Sequence, residues 1–305
     1  MSSATFMELS DALAQVTERA APSAVAVHTE ARGSSSGIIW RPAIVVTAEH
    51  ALRRDEEIQI TLPDGRVAPA SLAGRDPSTD LAVLKCADAT ASVAEVGDAV
   101  AAKPGALALV VGRTRVSGPV AALGVVSLVA PERKTWTGAP LAPYIRLDIG
   151  LQPTAVGGSV LDTAGRVIGL ATPRFARFGA IAVPAAAVNR VVDLILQKGR
   201  IPHGYLGVGL QPVRLPEALR QSLPGHQKTA AIVLEVEPEG PAHRAGIVIG
   251  DILVSLAGTP VTHLENVQSH LHGENIGKVL AATIVRGGVT QAVNIAVAER
   301  EHKGE

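Results

Sequence analysis

The stretch Asp76-Pro-Ser-Thr-Asp-Leu-Ala-Val-Leu-Lys85 places a turn signal, Asp76-Pro77, shortly before a short β-rich run, Leu81–Leu84. Turn signals of the same kind recur on both sides of it, at Pro63-Asp-Gly65 and Thr163-Ala-Gly165. The other β-rich runs of this region are Ala24–Val27, Gly37–Trp40, Ile44–Val46, Glu57–Leu62, Ala106–Val111, Val120–Val129 and Arg166–Leu170. Many short strands without long helices between them predict an antiparallel barrel or sandwich.

Two amphipathic helices are expected to flank this region. Apolar residues at helical spacing predict a helix over residues 8–20, which stops before Pro22, and a second over Pro184–Lys198 that ends at Gly199. Beyond Arg200 the strand pattern restarts with an expected strand at Tyr205–Leu210, and helical segments are expected at Ala242–Ala245 and Leu264–Leu271. The chain is therefore expected to contain an N-terminal helix or arm (1–22), a β-rich first domain (23–199) and a small α+β second domain (200–300).

The composition excludes several classes of partner. The chain has 28 basic and 28 acidic residues and a formal net charge of zero, so it carries no electrostatic footprint for nucleic acid or an anionic membrane. No apolar stretch is long enough to predict a membrane span. The N-terminus lacks the pattern of a signal peptide, which predicts a cytoplasmic protein as given, or a periplasmic one if a leader was removed. The single cysteine, Cys86, excludes an intramolecular disulfide.

Three segments, in the order His, Asp, Ser, are similar to the active-site signature of the HtrA/Deg serine proteases. In Val45-Val-Thr-Ala-Glu-His-Ala-Leu52, His50 falls on the general base. In Asp76–Lys85, Asp80 falls on the carboxylate that orients the imidazole. The resemblance implies a trypsin-like double six-stranded β-barrel, followed by a PDZ domain.

The third segment, Asp148-Ile-Gly-Leu-Gln-Pro-Thr-Ala-Val-Gly-Gly-Ser-Val-Leu-Asp162, resembles the family's nucleophile loop without a gap. In that register Val156 occupies the position of the nucleophilic serine. Its side chain has no oxygen to attack a carbonyl, so acyl-enzyme chemistry at this position is impossible. The oxyanion-hole positions fall on Thr154, Ala155 and Val156, where the family has glycine, asparagine and serine. The alternative nucleophile is Ser159, which lies three residues further on.

The second domain resembles the PDZ domains of the same family. Gly204-Tyr-Leu-Gly-Val208 is similar to their carboxylate-binding loop, and Ala231–Val254 matches their core motif. The resemblance implies that an extended peptide adds to a sheet edge while amides of the loop receive its terminal carboxylate. The loop residues are Tyr205, Leu206, Gly207 and Val208. Leu264, Val267 and Leu271 either line the other wall of the groove or pack in the core.

Neither a cofactor nor a metal is expected. His263, His270 and His272 raise the question of a metal site, but His270 and His272 are two residues apart and do not share a helix face, which favours a solvated or groove-lining role over a zinc site.

The sequence therefore predicts a non-catalytic HtrA/Deg homologue that binds peptides or unfolded protein segments as a regulator, scaffold or holdase. The alternative is an active serine-type endopeptidase in protein quality control that uses Ser159 or a rearranged loop. A homotrimer is implied by the resemblance, and a third possibility is an assembly module that forms a mixed oligomer with an active paralogue.

Overall fold

The computed structural model describes residues 3–29, 33–52, 57–90, 92–97, 102–130, 133–134, 140–141, 144–176, 178–202, 204–223, 226–271 and 273–299. They fall into two compact units. The first comprises the residues up to Arg133 together with Leu141–Ile201, and the second comprises Lys134–Pro140 together with the residues from Pro202 onward. The expectation of a mainly β fold with two six-stranded barrels is confirmed.

The first barrel closes in the order β1-β2-β3-β6-β5-β4, because β1 pairs antiparallel with both β2 and β4. Its interior is filled by small aliphatic side chains, among them Val25, Ile60 and Leu84, and Cys86 packs in the same cluster. The strands are β1 (Ala24–Thr29), β2 (Ser35–Arg41), β3 (Ile44–Ala48), β4 (Ile58–Thr61), β5 (Val67–Asp76) and β6 (Leu81–Lys85).

The second barrel closes in the order β11-β14-β13-β12-β7-β8. Its interior cluster includes Val110, Ile145 and Val160. The strands are β7 (Leu107–Thr114), β8 (Gly118–Ala130), β11 (Tyr144–Asp148), β12 (Ser159–Leu161), β13 (Val167–Thr172) and β14 (Ala180–Pro184). The two-residue strands β9 (Arg133–Lys134) and β10 (Pro140–Leu141) lie between β8 and β11 in the chain.

A third cluster joins the barrels to the helices α1 (Ser3–Ala20) and α2 (Ala185–Lys198). Helix α2 turns Val188, Val191 and Ile195 into this cluster, and it ends as expected at Gly199, whose φ of 70° allows the left-handed C-terminal cap. Helix α1 is longer than the predicted 8–20, because no helix-breaking residue separates residue 8 from Ser3.

The second unit has a main sheet in the order β16-β17-β18-β20-β21, to which β19 pairs through β18, and a two-stranded sheet of β15 and β22. Its strands are β15 (Gly204–Tyr205), β16 (Val208–Arg214), β17 (Thr229–Val236), β18 (Ile252–Leu256), β19 (Thr259–Pro260), β20 (Val279–Arg286), β21 (Val289–Ala296) and β22 (Ala298–Glu299). Its helices are α3 (Glu217–Ser222), α4 (Pro241–Arg244) and α5 (Leu264–Gln268).

Several elements differ from the sequence-based expectation. The expected strand from Tyr205 to Leu210 is two strands, because Gly207 has a φ of 72° and breaks the extended backbone. Helix α5 ends at Gln268 instead of Leu271. Strands β5, β11, β12 and β14 and helix α3 were not predicted. In β5 the residues alternate irregularly between buried and exposed, and β12 and α3 span only three and six residues.

Candidate functional site

His50 and Asp80 are brought together between β3 and β6. His50 lies in the 3₁₀ turn Glu49–Ala51, which directly follows β3. Its Nδ1 is 2.7 Å from Oδ2 and 2.9 Å from Oδ1 of Asp80, and its backbone amide donates to Oδ1 at 2.9 Å. Because an ionised carboxylate only accepts hydrogen bonds, Nδ1 is the donor to Asp80. A histidine whose Nδ1 donates to a carboxylate is oriented as a general base requires.

Asp80 is completely buried, whereas 31% of the His50 side chain is exposed. Thr172, at the end of β13 in the second barrel, donates its hydroxyl to Asp80 Oδ2 at 2.5 Å. Asp80 has a φ of 58°, and its carbonyl accepts from the Glu49 amide at 3.0 Å. These contacts fix the carboxylate between the barrels. Sequence reasoning missed Thr172, whose only signal is its place at the end of a strand.

A network of charges surrounds the pair. The Glu49 carboxylate accepts from Arg174 at 2.9 Å and from Arg75 at 3.3 Å. Arg174 also lies 3.6 Å from Oδ1 of Asp80. Glu49 thus binds a residue of each barrel, since Arg75 is in β5 and Arg174 follows β13. This network was not predicted from the sequence.

Val156 lies in the loop between β11 and β12, directly after the 3₁₀ turn Pro153–Ala155. It is buried with 7% of its surface exposed. Gly157 follows it with a φ of 82°, and a Cβ at that position would lie 2.8 Å from Thr47 Oγ1 and 3.0 Å from the Ala48 amide. The loop is therefore packed against the end of β3, which leads directly to the turn that carries His50.

The backbone amides from Ala155 to Gly158 all donate hydrogen bonds to carbonyls of the protein. Those of Ala155 and Val156 donate to the carbonyls of Gln152 and Pro153, at 2.9 and 3.3 Å, and those of Gly157 and Gly158 donate to Ala171 and Ala155. Thr154 has no positive φ, so the 3₁₀ turn accommodates its β-branched side chain without backbone strain. An oxyanion hole needs amides that point into the site, and the Val156 amide does not.

Ser159 lies on β12 and is 1% exposed. Its hydroxyl donates to the Val111 carbonyl at 3.2 Å. The side chain thus faces a neighbouring strand of the second barrel, where it fills a structural role.

Ser36, on β2, is a further residue that sequence reasoning did not assign. Its hydroxyl donates to the Thr154 carbonyl at 2.6 Å and accepts from the Arg113 amide at 2.8 Å. Its amide donates to the Val156 carbonyl at 2.8 Å, and its carbonyl accepts from the Thr47 hydroxyl at 2.6 Å. Ser36 therefore holds the loop against both barrels. The sequence signal was its place in the Gly-Ser-rich segment that begins at Arg32, a residue outside the described part of the chain.

In the second unit, Tyr205–Val208 forms the turn between β15 and β16. The carbonyls of Leu206 and Gly207 accept from Ala242 and Glu237, both at 2.8 Å. In the described part of the chain, the amides of Leu206 and Gly207 donate to no backbone carbonyl. They are therefore available to an acceptor at the start of β16. Strand β16 is an edge of the main sheet, and α5 packs beside it.

The three predicted groove residues differ in burial, and Leu271 lies beyond the end of α5. Val267 is buried in the core with 4% exposed, whereas Leu264 and Leu271 are partly buried and retain accessible surface. Among the residues that the structure describes, no three His, Cys, Asp or Glu side chains are grouped as metal ligands. His263 is exposed, His270 Nε2 contacts Thr259 Oγ1 at 3.2 Å, and His272 lies outside the described residues.

No helix within the described ranges is both long enough and apolar enough to cross a membrane.

Two family models match the chain. The model of the trypsin-like peptidase domain matches residues 35–170, and the model of the PDZ domain matches residues 204–297. The chain is 30% identical over 279 residues to a Brucella suis protein named "Probable periplasmic serine endoprotease DegP-like", over 89% of this chain and 53% of that protein. A Pseudomonas putida protein of the same name is 28% identical, over 88% and 56%. The chain thus spans about half the length of these curated relatives.

Solved structures resemble the chain over most of its length. One, described as the HtrA-type protease AlgW with decapeptide, has a TM-score of 0.72 and 23% identity, and the match covers 95% of this chain and 99% of that one. A serine endoprotease from Yersinia pestis has a TM-score of 0.70 and 26% identity, over 95% and 98%. These similarities establish the same combination of a double barrel and a PDZ domain.

Proposed function

Because the chain belongs to the HtrA/Deg family of trypsin-like proteins with PDZ domains, we propose that it is a catalytically inactive member that binds peptide C-termini. In this proposal the PDZ domain captures peptides or unfolded protein segments, and the protein works as a regulator, scaffold or holdase.

The observation that carries the proposal is Val156, which directly follows the 3₁₀ turn of the nucleophile loop and is buried, while His50 and Asp80 keep the geometry of a base and its orienting carboxylate. A base with no hydroxyl to deprotonate cannot start acyl transfer. Loss of the nucleophilic serine typically costs on the order of a millionfold in turnover, or roughly 8 kcal/mol of transition-state stabilisation.

The state of the loop also supports inactivity. Without a nucleophile, residual catalysis depends on the oxyanion hole. Here the Val156 amide is donated to the Pro153 carbonyl, so a substrate oxyanion would have to displace that bond.

The alternative, an active endopeptidase that uses Ser159, agrees with the names of the curated relatives. The position of the Ser159 side chain counts against it. A hydroxyl that is buried in β12 and bonded to the Val111 carbonyl would need a local rearrangement of the barrel to reach a substrate.

Peptide binding is supported by the match to the PDZ domain, by the amides of Leu206 and Gly207 and by the open edge of β16. The structural neighbour AlgW is described with a decapeptide. Several relatives are named periplasmic, so we propose an extracytoplasmic site of action, which cell fractionation tests. The homotrimer and the mixed oligomer with an active paralogue remain proposals, which native mass spectrometry and co-purification separate.

The test of inactivity uses a fluorophosphonate probe and a casein cleavage assay on the wild type and on Val156→Ser, with an active serine protease as control. We expect no labelling and no cleavage by the wild type. Labelling of the wild type that disappears in Ser159→Ala would establish the alternative instead.

The test of binding titrates the full chain with a library of C-terminal peptides. Binding that is lost when the terminal carboxylate is amidated supports the proposal, and absence of binding at millimolar peptide contradicts it.

A further inference from the structure

The last strand of the main sheet, β21, leaves a regular row of backbone groups unpaired. Its hairpin with β20 turns through Gly287 and Gly288, whose φ angles of 57° and 83° fit a two-residue type I′ turn. The amide of Val289, which closes this turn, therefore points to β20. Because alternate residues of an antiparallel strand direct their backbone groups to opposite sides, those of four residues point to the open edge. These outward residues are Thr290, Ala292, Asn294 and Ala296.

Two hydrogen bonds at the far end of the hairpin support this assignment. The Val297 amide donates to the Lys278 carbonyl at 2.9 Å, so it points inward at an odd-numbered position. The carbonyl of Ala281, the partner of Asn294, accepts from the Ala257 amide at 2.7 Å, on the side of β20 that faces away from β21. Within the described ranges, the outward residues make no backbone hydrogen bond outside their own hairpin.

The two edges of the main sheet differ in how they are protected against pairing. Native edge strands are commonly blocked by bulges, prolines and charged side chains. Strand β16 has all three, in the register irregularity at Gly209/Leu210, in Pro212 and in Arg214. Strand β21 has none, because Val289–Ala296 contains no charge and no proline, and its register with β20 has no irregularity. The edge of β21 is therefore suited to a partner strand.

We propose that this partner is β21 of a second copy of the chain, paired antiparallel about a two-fold axis at Val293. In this register Thr290 lies opposite Ala296 of the partner subunit, and Ala292 lies opposite Asn294 of the partner subunit. Each of these pairs occurs twice, because the contact is the same surface on both copies. Every outward residue then faces another outward residue, so each pair exchanges both of its backbone hydrogen bonds.

The position of the axis follows from the length of the strand. An axis at Ala292 would place Ala296 opposite Gly288 of the partner subunit, which lies in the turn. An axis at Asn294 would place Thr290 opposite Ala298 of the partner subunit, which already pairs within its own chain in β22. Only the axis at Val293 pairs all four outward residues within β21.

The side chains also suit a copy of the same strand. Like charges on facing strands destabilise a sheet, but no facing pair here contains a charge, including Gln291 opposite Ile295 of the partner subunit. Val293 is partly buried against the core of the second unit, and pairing at the axis removes its remaining surface from water. The contact leaves β16 open, and it is separate from the proposed homotrimer because a two-fold contact joins chains in pairs.

Ala292→Pro tests the contact without disturbing the hairpin. The amide at position 292 points away from β20, so proline removes only an outward donor and places its ring against the partner strand. Native mass spectrometry and sedimentation velocity compare the full-length variant with the wild type over a range of concentrations. We expect wild-type particles to contain twice as many chains as those of Ala292→Pro.

Two charge variants test the register. Ala292→Lys and Asn294→Glu should each weaken self-association by about 2- to 10-fold, because two like charges then become diagonal neighbours across the axis. Mixed in equal amounts, the two variants should associate again, because the introduced cation and anion lie opposite each other. Ala281→Lys adds the same charge to an exposed position on β20, one strand away from the edge, and should leave self-association unchanged.

The outcomes decide the proposal in each case. It is wrong if the wild type and Ala292→Pro have the same mass at every concentration, or if Ala281→Lys weakens self-association as much as Ala292→Lys does. It is also wrong if the mixed charge variants associate no better than each does alone. If circular dichroism shows that Ala292→Pro does not fold, the charge variants alone decide. None of these results bears on peptide binding at β16.

Discussion

The hydroxyl of Ser36 donates to the carbonyl of Thr154 at 2.6 Å, although the two residues are 118 positions apart in the chain. Together with the bond from the Ser36 amide to the Val156 carbonyl, this contact ties the nucleophile loop to the first barrel. Neither bond involves the side chain of Val156. These two bonds can therefore form whichever side chain stands at position 156.

Replacing Ser36 with alanine should destabilise the first unit. The Arg113 amide and the Thr154 carbonyl would lose a buried partner, so we expect the free energy of unfolding to fall by about 1–3 kcal/mol. Urea denaturation measures this change. Ser35→Ala is the control, because the contact of the Ser35 hydroxyl with the Val27 carbonyl is long, at 3.4 Å. Equal losses in the two variants would show that the Ser36 contacts contribute nothing specific.

Gly157→Ala tests the close packing of the loop. A Cβ there would lie only 2.3 Å from the Ser36 carbonyl oxygen, at a φ of 82° that non-glycine residues avoid. We expect the free energy of unfolding to fall by about 3 kcal/mol or more, from backbone strain together with the clash.

Gly165→Ala separates these two causes. Gly165 has a similar φ of 84°, but the nearest atom to a Cβ there is the end of the Arg19 side chain at 3.3 Å. Gly165→Ala should therefore lower the free energy of unfolding by about 1 kcal/mol, from backbone strain alone. Thermal unfolding measures both variants. Equal losses of stability in Gly157→Ala and Gly165→Ala would argue against tight packing at Gly157.

Restoring the nucleophile alone should not restore full activity. Val156→Ser restores a hydroxyl at the nucleophile position, but the amide at position 156 remains bonded to the Pro153 carbonyl. Adding Thr154→Gly frees the backbone of the turn. We expect the double variant to exceed the single one in kcat/KM by about tenfold or more, because one oxyanion donor is worth about 10²–10³ in rate. A fluorogenic peptide assay measures this ratio, with Val156→Ala/Thr154→Gly as the inactive control. Equal activity of the single and double variants would mean that the turn does not limit catalysis.

The fold was predictable where local chemistry determines it. Turn signals at Asp76-Pro77 and Thr163-Ala-Gly165, with short apolar runs beside them, predicted barrel strands, and Gly199 marked the end of α2. Strand β5 was missed because its residues alternate irregularly between buried and exposed and include Gly74.

The candidate site was predictable only in part, for a related reason. His50 and Asp80 lie in recognisable segments. Ser36 and Thr172 act through partners that are far away in sequence, and local patterns carry no information about such contacts.

The ion pair of Asp251 and Arg286 predicts that the second unit is less stable at acidic pH. The two side chains form bonds of 2.7 Å at both carboxylate oxygens, and the Val248 amide donates to Oδ2 at 2.9 Å. Burial acts to raise the pKa of Asp251, but the hydrogen bonds from Arg286 and Val248 and the charge of Arg286 outweigh burial, so the pKa is lowered. The carboxylate thus stabilises the fold fully above its unfolded pKa of about 4, and this contribution is lost as the pH falls through the folded value.

We therefore expect Asp251→Asn to lower the free energy of unfolding of the second unit by about 2–3 kcal/mol at neutral pH. The difference from the wild type should shrink as the pH falls below about 4. Urea unfolding followed by the ring NMR signals of Tyr205 at several pH values measures it. Asp64→Asn, which breaks the exposed pair with Arg66, should have no measurable effect. If Asp251→Asn lowers the free energy of unfolding equally at pH 3 and pH 7, the charge of Asp251 does not stabilise the second unit.

Because both barrels are closed, the strand edges at which the protein can aggregate lie in the second unit. A closed barrel presents no unpaired strand, so among the large sheets formed by the described residues only that of the second unit has template edges, β16 and β21. Pro212 interrupts the first of these. Strand β21 has no proline, and Val289, at its start, is 62% exposed. Precipitation of the concentrated protein through strand pairing should therefore begin at β21, and light scattering should decrease in Val289→Lys.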